Sequence, residues 1–307
     1  MRSEGVLIKV GFVLLCLIWG STWLAIKIGL ESVPPFYGIF FRFLLAAIIL
    51  LVIMKLRGIP VPRDRTTWKL FTAIGFLSLG LPFSIIYWAE QFLPSGLMSI
   101  LFAVFPFMVA IFSHIVLPEE PLNVYKVIGI VVGFLGICVI FSGGLTGAYG
   151  FGEFGFFAMA GVIVSTVFQA GSVMIVKKKA KHVNPIVLNF GGMLVATVPV
   201  IVLAVSFERF SDIRLDTKTV GSIVYLATFG SVVTFVIYYW LLKRLEAVFL
   251  SFLTFITPIV AVILGAVVLG ESMEPNTFLG ASLVLVGILL SNARGLYASL
   301  VARQRKK

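Results

Sequence analysis

Lys27, Arg42, Glu90 and His114 are groups able to hold or move charge that lie within long apolar stretches of this 307-residue chain. A carboxyl in such a setting can bind a substrate ammonium or carry a proton, and intramembrane ionisable residues mark transport pathways by default. Glu90 and Arg42 are therefore the candidates for proton or charge coupling. For Glu90 the bland alternative also stands: an interfacial acid that is wetted or paired with Lys27 or Arg42. Lys27 has a stem long enough to snorkel to the outer interface, and His114 reads as a satisfied interface residue.

Aromatic and hydroxyl residues at helical spacing surround these charges. Trp19 falls near the middle of its run, whereas membrane Trp gathers at the interfaces, and Trp23 extends the same face. Ser165, Gln169 and Ser172 stand at i, i+4 and i+7, a polar stripe that must face protein or water rather than lipid. Thr228, Ser231, Thr234 and Tyr238 form a second stripe. Tyr87 and Trp88, with Ser99, Phe102, Ser251 and Thr254, complete a pocket with aromatic walls and hydroxyl edges. The expected substrate-binding set is Trp19, Thr22, Tyr87, Trp88, Glu90, Ser99, Phe102, Gln169, Ser172, Tyr238 and Thr254. Pro106 and Pro258 each remove a backbone donor in mid-run and are expected to kink their helices. Cys16 and Cys138 lie in separate apolar runs, so neither a disulfide framework nor a metal site is expected and both read as packing residues.

The elements that hold these residues are membrane helices. Apolar residues make up 60% of the chain and charged residues 12%, against about 45–50% and about 25% in soluble proteins. Runs long enough for a hydrocarbon core, about 20 residues each, lie near 8–30, 34–55, 68–91, 94–117, 122–142, 153–177, 184–206, 218–242, 246–269 and 275–295. They lack the alternation of barrel strands, so the predicted fold is all-α and integral to the membrane, with ten transmembrane helices. The first run is too long for a signal-peptide core and is expected to persist in the mature protein. The short connections leave no room for a nucleotide, a redox centre or another cofactor outside the bilayer.

The ten spans divide into two copies of one unit. Tyr87-Trp88, Ser99, Pro106 and Glu119 recur 152 residues later as Tyr239-Trp240, Ser251, Pro258 and Glu271, with Phe83/Phe235, Leu93/Leu245 and Leu101/Leu253 between them. Near the start of each unit an offset of 150 pairs Trp19 with Gln169, Thr22 with Ser172, Lys27 with Lys177 and Pro35 with Pro185. The expected units are residues 1–146 and 147–307. Five spans per unit place the second copy upside down relative to the first, an inverted repeat of the kind that carries transporter sites near the bilayer midplane. Glu90 aligns with Leu242 and Arg42 with Gly192, so neither has a twin. Glu119 and Glu271 close equivalent helices and read as structural.

Charge sets the expected orientation. With the amino terminus in the cytoplasm, only Lys27, Arg209, Arg214 and Lys218 fall on the outer side and Arg42 lies within span 2, while every other Lys and Arg falls inside. Both termini are then cytoplasmic. The net charge of +11 follows from this topology and from anionic headgroups, with no nucleic-acid partner implied. Gly129, Gly133, Gly136, Gly280 and Gly287 offer small faces that suit helix packing within the chain; a homodimer is compatible with them but not required.

Trp19-Gly20-Ser21-Thr22, Arg42-Phe43, Tyr87-Trp88-Ala89-Glu90-Gln91, Pro94-Ser95-Gly96-Leu97, Pro106 and Glu119, with the second-half counterpart ending in Gly270-Glu271, resemble the drug/metabolite transporter superfamily, in particular its EamA-type ten-helix exporters. Pro118 and Glu120 depart from that pattern. The resemblance implies a multi-pass carrier of the bacterial inner membrane that exports a small metabolite, amino-acid-like or drug-like. Sparse midplane charge suggests a solute that is neutral overall, zwitterionic or apolar. A flippase for a lipid-linked metabolite and a facilitative channel are the alternatives. A pump lacks its phosphate-binding loop, and the spacing of His114 and Glu119 is too faint to argue for an enzyme.

Overall fold

The protein is described by a computed structural model over residues 2–116, 124–145, 152, 154–251, 253–271 and 275–291. Among these residues every regular element is helical. The ten spans are α1 (Arg2–Gly29), α2 (Pro35–Leu56), α3 (Arg65–Glu90), α4 (Ser95–Val116), α5 (Val124–Leu145), α6 (Gly155–Lys179), α7 (Pro185–Phe207), α8 (Thr217–Leu242), α9 (Ala247–Leu269) and α10 (Pro275–Ser291). The first nine are each long and apolar enough to cross a bilayer, and α10 is shorter over its described residues. Side chains such as Leu17, Val52, Phe134, Val202 and Ile263 point outward and exposed. A soluble monomer rarely carries so much exposed apolar surface; lipid is its natural solvent.

The packing follows the repeat. α1 lies against α9 as α6 lies against α4; α3 packs on α6 as α8 packs on α1; and α2 pairs with α7, as α5 pairs with α10. The last pair closes through its glycines. A side chain on Gly136 would strike the backbone of Gly280 and Val284, and one on Gly287 the backbone of Gly129 and Gly133. The small face is thus used within the chain. Cys16 is packed inside, but Cys138 is exposed on α5 and is not the packing residue its apolar run suggested.

Helix ends in a bilayer need partners for their free backbone groups, and the two halves supply them in matching ways. Asp64 accepts from the Thr67 N–H at 2.8 Å at the start of α3, and Asp216 from the Thr219 N–H at 2.7 Å at the start of α8. The N–H groups of Thr67 and Thr219 hold these two carboxyls below the usual carboxylate range. At the far ends of the same helices, Lys27 Nζ donates to the carbonyls of Glu90 (2.6 Å) and Leu93 (2.9 Å), while Lys177 Nζ donates to those of Leu242 (2.9 Å) and Leu245. Lys27 therefore does not snorkel. Its ammonium is worth more against the carbonyl end of α3, where the helix dipole is negative.

Glu271 turns back to the start of α4, accepting from Ser95 N (2.9 Å), Ser95 Oγ (2.7 Å) and Gly96 N (3.3 Å). Its role is structural, as expected. Glu119, Pro118 and Glu120 lie outside the described residues. Glu208 does the same for α2, accepting from Phe36 N (2.7 Å) and Tyr37 N (3.0 Å). Half-burial pushes the Glu208 carboxyl up, against the pull of those two N–H donors.

The prolines behave differently from one another. α4 is broken between its helical stretches Ser95–Phe102 and Phe105–Val116, so Pro106 sits in the first turn of the second stretch, where a missing N–H costs little. Pro258 lies inside Leu253–Leu269, which continues through it as one helix. Gly20 brings α1 onto that turn, against Thr257 and Val260.

A second matched irregularity is deeper. α3 opens into a π-helical turn at Gly75–Gly80 and α8 into one at Thr228–Val233, equivalent places in the two copies. Such turns cluster at functional sites.

Removing the lysine caps tests the symmetric architecture. Lys27→Met and Lys177→Met are each expected to lower stability by about 1 kcal/mol. The midpoint of thermal unfolding in detergent reads this, and a midpoint equal to wild type for both variants contradicts the capping role.

Candidate functional site

The π-helical turn of α8 is where the first half of the chain reaches into the second. Arg42, on α2 and 1% exposed, donates from Nε to Ser231 Oγ (2.9 Å), from Nη2 to the Gly230 carbonyl (3.1 Å) and from Nη1 to the Tyr87 hydroxyl (3.3 Å). From the other side Asn189 on α7, fully buried, donates its amide to the carbonyls of Ser231 (3.0 Å) and Val232 (3.4 Å). Gly230 leaves the space that the guanidinium and the Thr22 side chain occupy. The guanidinium also lies over Phe83 at 4.9 Å and Phe43 at 5.7 Å from the ring centres, a cation–π setting that partly replaces lost hydration.

Arg42 forms part of the wall of a cavity of about 70 Å³ between the two halves. α1 contributes Trp19, Thr22, Trp23 and Ile26; α3 contributes Ser78, Phe83 and Ile86; α4 contributes Phe102 and Phe105. From the second half come Gln169 and Val173 on α6, Phe235 and Tyr238 on α8, and Leu253, Thr254 and Thr257 on α9. Trp19 packs between Phe235 and Tyr238, with ring centres 5.4 and 5.3 Å away, and Trp23 meets Phe102 at 5.6 Å. The result is an aromatic box with a few hydroxyls, one amide and one cation.

Of the residues expected at the site, Trp19, Thr22, Phe102, Gln169, Tyr238, Thr254 and Arg42 meet at this cavity. Tyr87 stands behind it, buried and bonded to Arg42. Ser99 and Ser172 are buried away from it. Trp88 does not join its neighbour Tyr87. One step along a helix turns a side chain by about 100°, so Trp88 packs on Phe92 and Phe154 and lines a different, open groove.

Glu90 is 0% exposed and does not line the cavity, and neither of its carboxyl oxygens has a hydrogen-bond partner among the described residues. It makes no hydrogen bond to the Lys27 or Arg42 side chain, although both cations act on it electrostatically. The Lys27 ammonium takes the Glu90 backbone carbonyl instead.

Asn189 was not among the expected site residues, and neither were Ser78, Phe83, Phe105, Phe235 and Thr257. Asn189 had a signal, since a lone amide in an otherwise apolar run needs a partner. The π-helical turns had none beyond Gly75, Gly80 and Gly230.

Two larger recesses open at the ends of the bundle. One of about 1030 Å³ is lined by the α1–α2 connection, Trp88 and the end of α7 at Phe207 and Glu208; the other, about 540 Å³, by Asn184–Ile186, Trp240 and Arg57. They are repeat counterparts: Trp88 matches Trp240, Pro35 matches Pro185 and Phe207 matches Arg57 under the same offsets.

Comparison with known proteins agrees with this architecture. The sequence profile of the EamA-like transporter family matches residues 7–142 and 156–293, one copy on each half. The uncharacterized transporter YoaV of Bacillus subtilis (strain 168) is 27% identical over 285 residues, 92% of this chain and 96% of that protein. The uncharacterized inner membrane transporter YedA of Escherichia coli (strain K12) is 28% identical, over 90% of this chain and 87% of its own length. Protein PagO of Salmonella typhimurium is 26% identical, with 92% of each chain covered. A solved crystal structure with 17% identity superposes with a TM-score of 0.70 over 94% of this chain and 98% of its own, which shows the shared fold. The chain is a multi-pass membrane protein and belongs to the EamA-like transporter family.

Proposed function

We propose that the protein is a secondary carrier that exports a small solute from the cytoplasm by alternating access. The observation that supports this most strongly is the position of the aromatic-walled cavity, bounded by helices of both inverted halves. A site between two such halves faces either compartment when one half rocks against the other. The matched recesses at opposite ends of the bundle suit the two entrances. Trp19, Phe235 and Tyr238 supply stacking surface; Thr22, Gln169 and Thr254 supply hydrogen bonds. A single cation in the walls favours a soluble solute over a lipid-linked phosphate, for which clustered Arg and Lys are needed.

In proteoliposomes, transport is expected to saturate and to accelerate when solute is present on the opposite side. Conduction without such counterflow points to a channel. Trp19→Ala should raise the KM by about tenfold or more with the protein still folded, as loss of one buried aromatic contact implies; an unchanged KM removes Trp19 from the site.

Glu90 is assigned to coupling. A carboxyl closed to water and without a hydrogen-bond partner exchanges protons with solvent only when the helices around it move, which ties its protonation to the transport cycle. Glu90→Gln is expected to slow transport and to flatten its pH dependence. Wild-type rates with a wild-type pH profile dispose of that role.

The similarity to the inner membrane transporter YedA supports an inner-membrane location, and the distribution of Lys and Arg supports both termini being cytoplasmic. Single cysteines placed at positions 3 and 305 in a cysteine-free background should both be labelled only from the cytoplasmic side; labelling from opposite sides contradicts the inverted pairing.

A further inference from the structure

We propose that Arg42 is the carboxylate-recognition group of the cavity and that the solute is an organic monoanion or zwitterion, its carboxylate on the guanidinium and its apolar body against Trp19, Phe235 and Tyr238. The inference rests on the carrier reading and narrows its substrate class.

A guanidinium has five N–H donors and no acceptor. Three are used, on Ser231 Oγ, Gly230 O and Tyr87 OH. The other two have no acceptor among the described residues, although the side chain is buried and lines the cavity. No carboxylate touches the guanidinium: the one ion pair in contact among the described residues is between Arg244 and Glu4, at the surface, and Glu90 acts on Arg42 only at longer range. A buried cation hydrogen-bonded only to neutral acceptors is expensive, and a carboxylate is the ligand that suits the two unused guanidinium N–H groups.

Gln169 adds an independent observation. It lines the same cavity and its Nε2, closed to solvent, also lacks an acceptor. Unused donors on two elements and the rings of Trp19, Phe235 and Tyr238 line one cavity, which offers an anion both hydrogen-bond donors and an apolar wall. One cation matches one negative charge; a phosphate dianion would remain undercompensated. An ammonium presented alone would be repelled by Arg42. The Arg42 contact with the α8 π-helical turn also gives the solute leverage, because a carboxylate drawing on the guanidinium changes its hold on Gly230 and Ser231.

The test uses the detergent-purified full chain and a series of straight-chain and phenyl-substituted monocarboxylates of two to ten carbons, each paired with its neutral primary amide. Thermal shift and tryptophan fluorescence read binding, and counterflow in proteoliposomes reads exchange. At least one acid should bind at least about tenfold more tightly than its amide, with Arg42→Lys weakening that preference and Arg42→Gln removing it. The comparison of acid with amide is made on the wild-type protein, so a misfolded variant does not obscure it. Amides that bind and exchange as well as the acids overturn the carboxylate assignment and leave the carrier reading standing. Acids that bind at the cavity without counterflow keep the assignment and overturn the carrier reading. No stabilisation by any acid overturns the assignment.

Discussion

Water is absent from the bilayer core, so every backbone carbonyl that a helix leaves open must find a donor within the protein. Much of this structure answers that constraint. Lys27 and Lys177 close the carbonyl ends of α3 and α8, Glu208 and Glu271 close the amide ends of α2 and α4, and Arg42 and Asn189 together cover the opened turn of α8. Most of the polar side chains that look functional in the apolar runs are thus engaged with the main chain. Among those that keep spare capacity are two donors of Arg42, the amide of Gln169 and the carboxyl of Glu90, alongside the Ser99, Thr219, Thr234 and Tyr239 hydroxyls and Asn189 Oδ1.

The same constraint explains where symmetry is kept and where it is broken. Helix ends recur in both copies, and so do their caps, as Asp64 with Asp216 and Lys27 with Lys177. The π-helical turns recur too, but their surroundings differ. In the second half Arg42 and Asn189 hold the turn; in the first, Gly75 and Gly80 accept the close approach of Val195 and Pro199 on α7. One turn is secured by polar contacts and the other by packing. In the alternating access proposed above, two related halves with unequal side chains would present a chemically one-sided site, which suits an asymmetric solute.

How far the site could be read in advance depended on the kind of residue. Trp19, Gln169 and Tyr238 were identifiable because each is out of place in hydrocarbon, and burial in a protein-lined cavity resolves the conflict. Trp88 was placed on the wrong face because an adjacent pair in sequence shares no face in a helix. The stem length of Lys27 suggests reach to the interface, whereas the carbonyl it caps on α3 lies 63 residues away in sequence. Pro106 and Pro258 match in sequence but differ in setting, the first beside the break in α4 and the second inside Leu253–Leu269.

The amino-acid sequence alone determined the solvent, the all-helical class, the spans and the duplication, since each depends on composition, run length or spacing along one chain. The tertiary structure alone decided which polar groups are spent on the backbone and which remain free. That division depends on contacts between distant segments, such as Arg42 with Ser231 and Asn189 with Val232. Local patterns contain no record of them, because hydrogen-bond satisfaction belongs to the folded neighbourhood and not to the residue.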